Sequence, residues 1–162
     1  MKEDLEIYLN DHLAGAAGGL SLVTHLAETA TEAMERSFFE DLKRTISRDR
    51  DTLMQIIQEL GFSAGVVRQA VGSASTRAGI WRMEIHGMNI GELGRFEMIE
   101  LLAVGIHGKC LLWKTLTLLA MLRPEWKSMD FQSLVRSAED QSQQIEEYRS
   151  REAMMLFSSA DR

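Results

Sequence analysis

Apolar residues recur along this chain at alternating spacings of three and four, and no run alternates apolar and polar in the manner of a half-buried strand. Five helical segments follow from that period. The first covers about residues 3–30, with Leu9, Leu13, Ala16, Leu20, Val23, Ala27 and Ala30 in one seam. Gly15, Gly18 and Gly19 interrupt it among alanines. Each costs roughly 1 kcal/mol relative to Ala in a helix interior. The strip they form is expected to admit another helix backbone at close range. The second segment, about 36–60, aligns Leu42, Ile46, Asp49, Leu53, Ile56 and Leu60, and Gly61 is placed to end it.

A third segment, about 63–85, carries the weaker seam Val67, Ala70, Val71, Ala74, Ala78, Trp81 and Ile85 before glycines break the pattern. The fourth, about 92–122, is apolar nearly all round, which predicts the most buried helix. Arg123-Pro124 stops it, because the residue before proline disfavours the helical region. The fifth begins at or just after Asp130 and runs to about Phe157, with Phe131, Leu134, Val135, Ala138, Ile145, Tyr148 and Leu156 in line. Short links join the first two segments and the last two, so each pair is expected to be an antiparallel hairpin. A helical third segment of this length rises roughly 35 Å, enough to return the chain to the opposite end between hairpins. The architecture predicted is an all-α, up-down-down-up four-helix bundle with an additional helical crossover, in a single domain over residues 1–162.

Composition narrows the class without naming a chemistry. With 45% hydrophobic and 26% charged residues, the chain has the make-up of a globular protein rather than a disordered one. The net charge of −6, with both signs interspersed, offers no footprint for nucleic acid. The acidic opening Met1-Lys2-Glu3-Asp4 is unlike a secretory leader. The single cysteine, Cys110, lies in an apolar run and suits a reducing compartment. His107, Lys109 and Lys114 interrupt the apolar fourth segment, which therefore reads as a core helix and not a membrane span. A soluble, cytoplasmic protein is the expectation.

The order of segments, with Tyr8-Leu9-Asn10-Asp11-His12-Leu13-Ala14-Gly15 and Gly105-Ile106-His107-Gly108-Lys109, resembles the ferritin-like superfamily, in particular its small uncharacterised bacterial members. The resemblance covers about residues 3–157. It implies where a di-iron centre would sit: a Glu-x-x-His on each of two helices and a glutamate from each of the others. This chain departs from that pattern. No glutamate is followed by histidine three residues later, and the fifth segment has no histidine. At the matching level of the second helix stand Thr45 and Arg48, or Ile46 and Asp49. Di-iron ferroxidase activity is not expected.

The remaining candidates are polar residues on apolar faces. His12 borders the first seam and Asp49 occupies an aliphatic position in the second. His107 sits in the fourth segment at heptad spacing from Glu100 and Lys114. Helical rise sets His12, Asp49 and His107 within roughly 10 Å of one another along the predicted bundle axis. Two imidazoles and a carboxylate suit a single zinc or iron ion. A hydrogen-bonded polar seam accounts for the same residues and is preferred, since no two of them share a helical turn. Glu100 and Arg149 are expected at about one level, where they either pair within that seam or Arg149 extends to solvent along its aliphatic stem. His25 points away from its seam and His86 ends the third segment. Cys110 has no electropositive neighbour in sequence and reads as a small core hydrophobe.

No complete catalytic constellation is present in the sequence. A non-enzymatic bundle acting through protein interaction or self-association is the leading expectation, with no cofactor. The alternatives are a protein with a degenerate mononuclear metal site and a carrier with a pocket beneath the glycine strip. Trp113, Trp126, Met154, Met155 and Phe157 add to the surplus apolar surface from which a homodimer is expected.

Overall fold

A computed structural model describes residues 2–63, 91–123, 126 and 129–158. Among them are four α-helices and no strand. The chain divides into two compact units, residues 1–90 and 91–162. The first holds α1 (Lys2–Thr29) and α2 (Ala33–Glu59); the second holds α3 (Glu92–Ala120) and α4 (Phe131–Ser158). The third predicted segment, at 63–85, lies beyond Ser63 outside the described residues, as does His86.

In the first unit, three residues turn the chain between α1 and α2. Glu32 is extended at the N-cap, and its side chain makes no capping bond. The caps come from further along: Glu35 accepts from the Thr31 amide at 3.2 Å, and Arg36 donates to the Ala30 carbonyl at 2.8 Å. These two side chains reach back from the first turn, so α2 starts at Ala33, ahead of the periodic seam. Leu9, Leu13, Val23, Leu26 and Ala27 of α1 are buried, as are Phe39, Leu42, Ile46, Leu53, Ile56 and Ile57 of α2.

Gly61 ends α2 as the glycine rule anticipates, in the left-handed region at φ 67°. Its amide donates to the Gln58 carbonyl at 2.9 Å, and the Phe62 amide donates to Ile57 at 3.1 Å. That pair of bonds is the Schellman arrangement, and Phe62 and Ile57 are both buried beside it. One residue on, the Ser63 amide donates to the Glu6 carboxylate at 3.1 Å, joining the end of α2 to the first turns of α1. The hairpin is therefore antiparallel and closed at its open end.

In the second unit, Asp130 caps α4 by accepting from the Ser133 amide at 2.9 Å. Ahead of it, Trp126 is buried, meets the Phe131 ring edge-on at 5.7 Å, and lies under the Arg123 guanidinium at 5.1 Å. Cross-links between the helices step in opposite directions along the chain: Phe96 with Phe157, Glu100 with Arg149, Lys109 with Gln141, Lys114 with Glu139. That ladder fixes an antiparallel hairpin. Ile99, Leu102, Ile106, Cys110, Trp113 and Leu116 of α3 are buried, as are Val135, Ala138 and Ile145 of α4.

Of two expectations about burial, one holds and one does not. The fourth segment, α3, has the most buried residues of the described helices, as its composition predicts, yet it leaves Leu93, Val104, Leu111 and Leu118 exposed. A helix can be apolar on two faces while only one is covered. Trp113 and Trp126, expected as surplus surface, are 0% and 2% exposed. Met154, Met155 and Phe157 do remain exposed.

Candidate functional site

The helices α1 and α2 bring two of the candidates to one level. His12 and Asp49 each lie about 25 Å of helical rise from the turn that joins the helices. Asp49 is buried on the inner face of α2 at 6% exposure, although it is a carboxylate. His12 is half-buried, and the ring of Tyr8, one turn earlier, meets it edge-on at 4.7 Å. Burial depresses the His12 pKa below the ordinary 6.5, and the Asp11 carboxylate offsets this in part. The neutral imidazole is favoured.

The buried residue that sequence reasoning does not single out is Asn10, at 0% exposure. Its amide nitrogen donates to the Glu6 carbonyl one turn back, at 2.8 Å, while its Oδ1 has no partner among the described residues. A signal exists in the sequence: Asn10 adjoins Leu9 on the edge of the α1 seam, as His12 does. Gln141 of α4 is likewise buried, taking a bond from Lys109 and donating to Ser137 at 3.2 Å.

His107 belongs to the second unit, and its side chain is exposed on α3. The expected Glu100–Arg149 pair is present at 3.3 Å, but at the rim and not in the interior, with side-chain exposures of 47% and 27%. Glu146, one turn before Arg149, grips the guanidinium through both oxygens at 2.7 and 2.8 Å. That grip, with the Ser150 hydroxyl, holds the Glu146 carboxyl at about 2, and Glu146 in turn raises the Arg149 pKa. Glu100 is the minor partner. Among the described residues, no three His, Cys, Asp or Glu side chains converge as a metal ion would require.

Three further corrections concern the glycine strip, His25 and Cys110. Nothing described lies within 4 Å of a Cβ placed at Gly15, Gly18 or Gly19, so no close helix approach is present at the strip among the described residues. His25, expected to be exposed, is half-buried. Cys110 does have a cationic neighbour: Lys114, one turn later, is raised above the ordinary lysine pKa chiefly by its bond to Glu139, and Cys110 adds to the shift. The thiol itself is buried at 3% exposure.

Among the described residues, one face of α3 is left uncovered and is apolar. Leu101, Val104, Leu111 and Leu118 are 37%, 67%, 50% and 66% exposed, and they repeat at intervals of three and seven along α3. The helix is also long and apolar enough to cross a membrane by length and composition alone, and 33% of its most apolar window is buried. Compared with known protein families, with curated proteins and with solved structures, the chain matches none of them.

Proposed function

We propose that this chain is a ferritin-like helical protein without a di-iron centre, which acts in the cytoplasm through self-association rather than through catalysis. The exposed apolar stripe of α3 carries this reading, because a stripe of that length left in water favours association. The two antiparallel hairpins are the building blocks that a four-helix bundle requires. The polar residues fit the same account: Asp49, Asn10 and Gln141 are buried on their helices, and Gln141 is hydrogen-bonded to Lys109 and Ser137.

Sedimentation of the full chain across the micromolar range tests the proposal. A mass that rises with concentration to that of a dimer is expected. Monomer throughout overturns self-association. Metal analysis of protein purified without chelator is the companion measurement. A stoichiometric transition metal, or saturable oxidation of ferrous iron in air, would replace the non-enzymatic reading with a metalloprotein.

A further inference from the structure

The exposed side of α3 has a regular geometry. Leu101, Val104, Gly108, Leu111, Thr115 and Leu118 follow one another at spacings of three, four, three, four and three. That is the a/d alternation of a coiled-coil seam, sustained over more than two heptads. It runs on the side of the helix away from Leu102, Ile106 and Trp113, which are buried at 0–2% exposure. So α3 carries two apolar faces, one covered within the molecule and one open.

Charge and size along the open face select the occupant. Glu100, His107 and Lys114 stand seven residues apart, so they form one row along an edge of the seam, and all three are exposed. The row reads carboxylate, imidazole, ammonium. Such a row complements itself only when reversed: a second α3 laid antiparallel about His107 sets Glu100 against Lys114 at both ends. A parallel copy would instead face this row with Gly105, Leu112 and Leu119 of the second chain, leaving its charges unmatched. The core layers of that arrangement place Leu101 opposite Leu111, and Val104 opposite Gly108. Gly108 has nothing within 4 Å of where its Cβ would be, leaving room for a valine from another helix.

Resting on the self-association reading, we propose that two copies of this chain pair through α3, antiparallel, along Leu101, Val104, Gly108 and Leu111, with Glu100 of each facing Lys114 of the other. The apolar seam supplies the driving force and the charges specify direction, since exposed ion pairs contribute little energy. Each charge already holds a neighbour on α4, Arg149 for Glu100 and Glu139 for Lys114. Pairing therefore extends two existing surface bridges into a four-residue network at each end. A lipid surface would have no use for the alternating row, nor for Thr115 and Glu97 within reach of the seam.

The test is sedimentation equilibrium on the full chain, with circular dichroism to verify helix content. Leu111 is half exposed, so Leu111→Glu is tolerated by the fold, and it is expected to give monomer at concentrations where the wild type is dimeric. Glu100→Lys and Lys114→Glu should each weaken the dimer several-fold, and the double reversal should restore it. If the wild type is dimeric but indifferent to all four variants, the α3 pairing is overturned while self-association stands. A wild-type monomer overturns both. Leu111-dependent binding to phospholipid vesicles, without self-association, would assign the stripe to a membrane and likewise overturn the pairing.

Discussion

Arg95 of α3 donates to Glu152 of α4 at 2.7 Å, and to the Tyr148 hydroxyl at 2.9 Å, across the open end of the second hairpin. Both charged side chains are only about a quarter exposed, at 24% and 22%, so the pair is shielded more than a typical surface bridge. Arg95→Met should cost about 1–2 kcal/mol in urea unfolding, because Glu152 then keeps its burial without its partner. Glu152→Gln on that background should restore part of the loss. Burial also pushes the Tyr148 phenol up to about 12. Since the folded pKa is raised, the stability linked to the bound proton is intact below the unfolded value of about 10 and lost as pH climbs toward 12. Ultraviolet titration of the Tyr8→Phe variant reads that ionisation directly.

A pH dependence of the opposite sense belongs to His12. Its folded pKa is depressed by burial, so the unfolded chain binds the proton more readily. The associated stability is present above the unfolded value of 6.5 and is lost as pH falls through the lower folded value. Urea midpoints should therefore drop between about pH 7.5 and pH 5, and His12→Phe should flatten that part of the profile. An unchanged slope in the variant would assign the acid sensitivity to other groups.

Asp49 is buried and engaged, so truncation strands whatever it serves. Asp49→Ala should destabilise by about 1–3 kcal/mol, rising toward 3–5 if the stranded group is charged. Asp49→Asn keeps an acceptor oxygen and should cost less. Equal unfolding curves for wild type and Asp49→Ala would remove the carboxylate from any structural role.

At Gly61 the open space around the α carbon isolates the backbone effect, since an added methyl meets nothing within 4 Å. With φ at 67°, Gly61→Ala should cost about 1–2 kcal/mol from the left-handed conformation alone. Gly61→Asn should cost less, asparagine tolerating that region better. Thermal unfolding of the two variants distinguishes these outcomes.

The helices are legible in the sequence because caps and period agree. Asp130 and Gly61 mark the start of α4 and the end of α2, and the seams of both helices repeat at the helical spacing. Coverage is not legible. Periodicity says that a face is apolar, while only the neighbouring helix says whether it is covered. Two residues of α3 illustrate this: Val104 and Ile106 are both plainly apolar in sequence, yet one is 67% exposed and the other 2%. The Glu100–Arg149 level can be counted from the turn at Pro124, but the grip of Glu146 on Arg149 cannot, because a local partner one turn away competes with any distant one. Asn10 escapes notice for a related reason: attention to ionisable groups passes over an amide, although its buried Oδ1 is costly to leave unpaired.

The bond from the Ser63 amide to Glu6 makes the two loose ends of the first hairpin answer to each other. Helix termini ordinarily fray one by one, each amide exchanging with solvent on its own schedule. Here the opening turn of α1 cannot unwind far without releasing the residue that follows the α2 cap, nor the reverse. Deuterium should accordingly enter residues near both ends at a common rate, and Glu6→Ala, which removes the acceptor, should let the two rates separate.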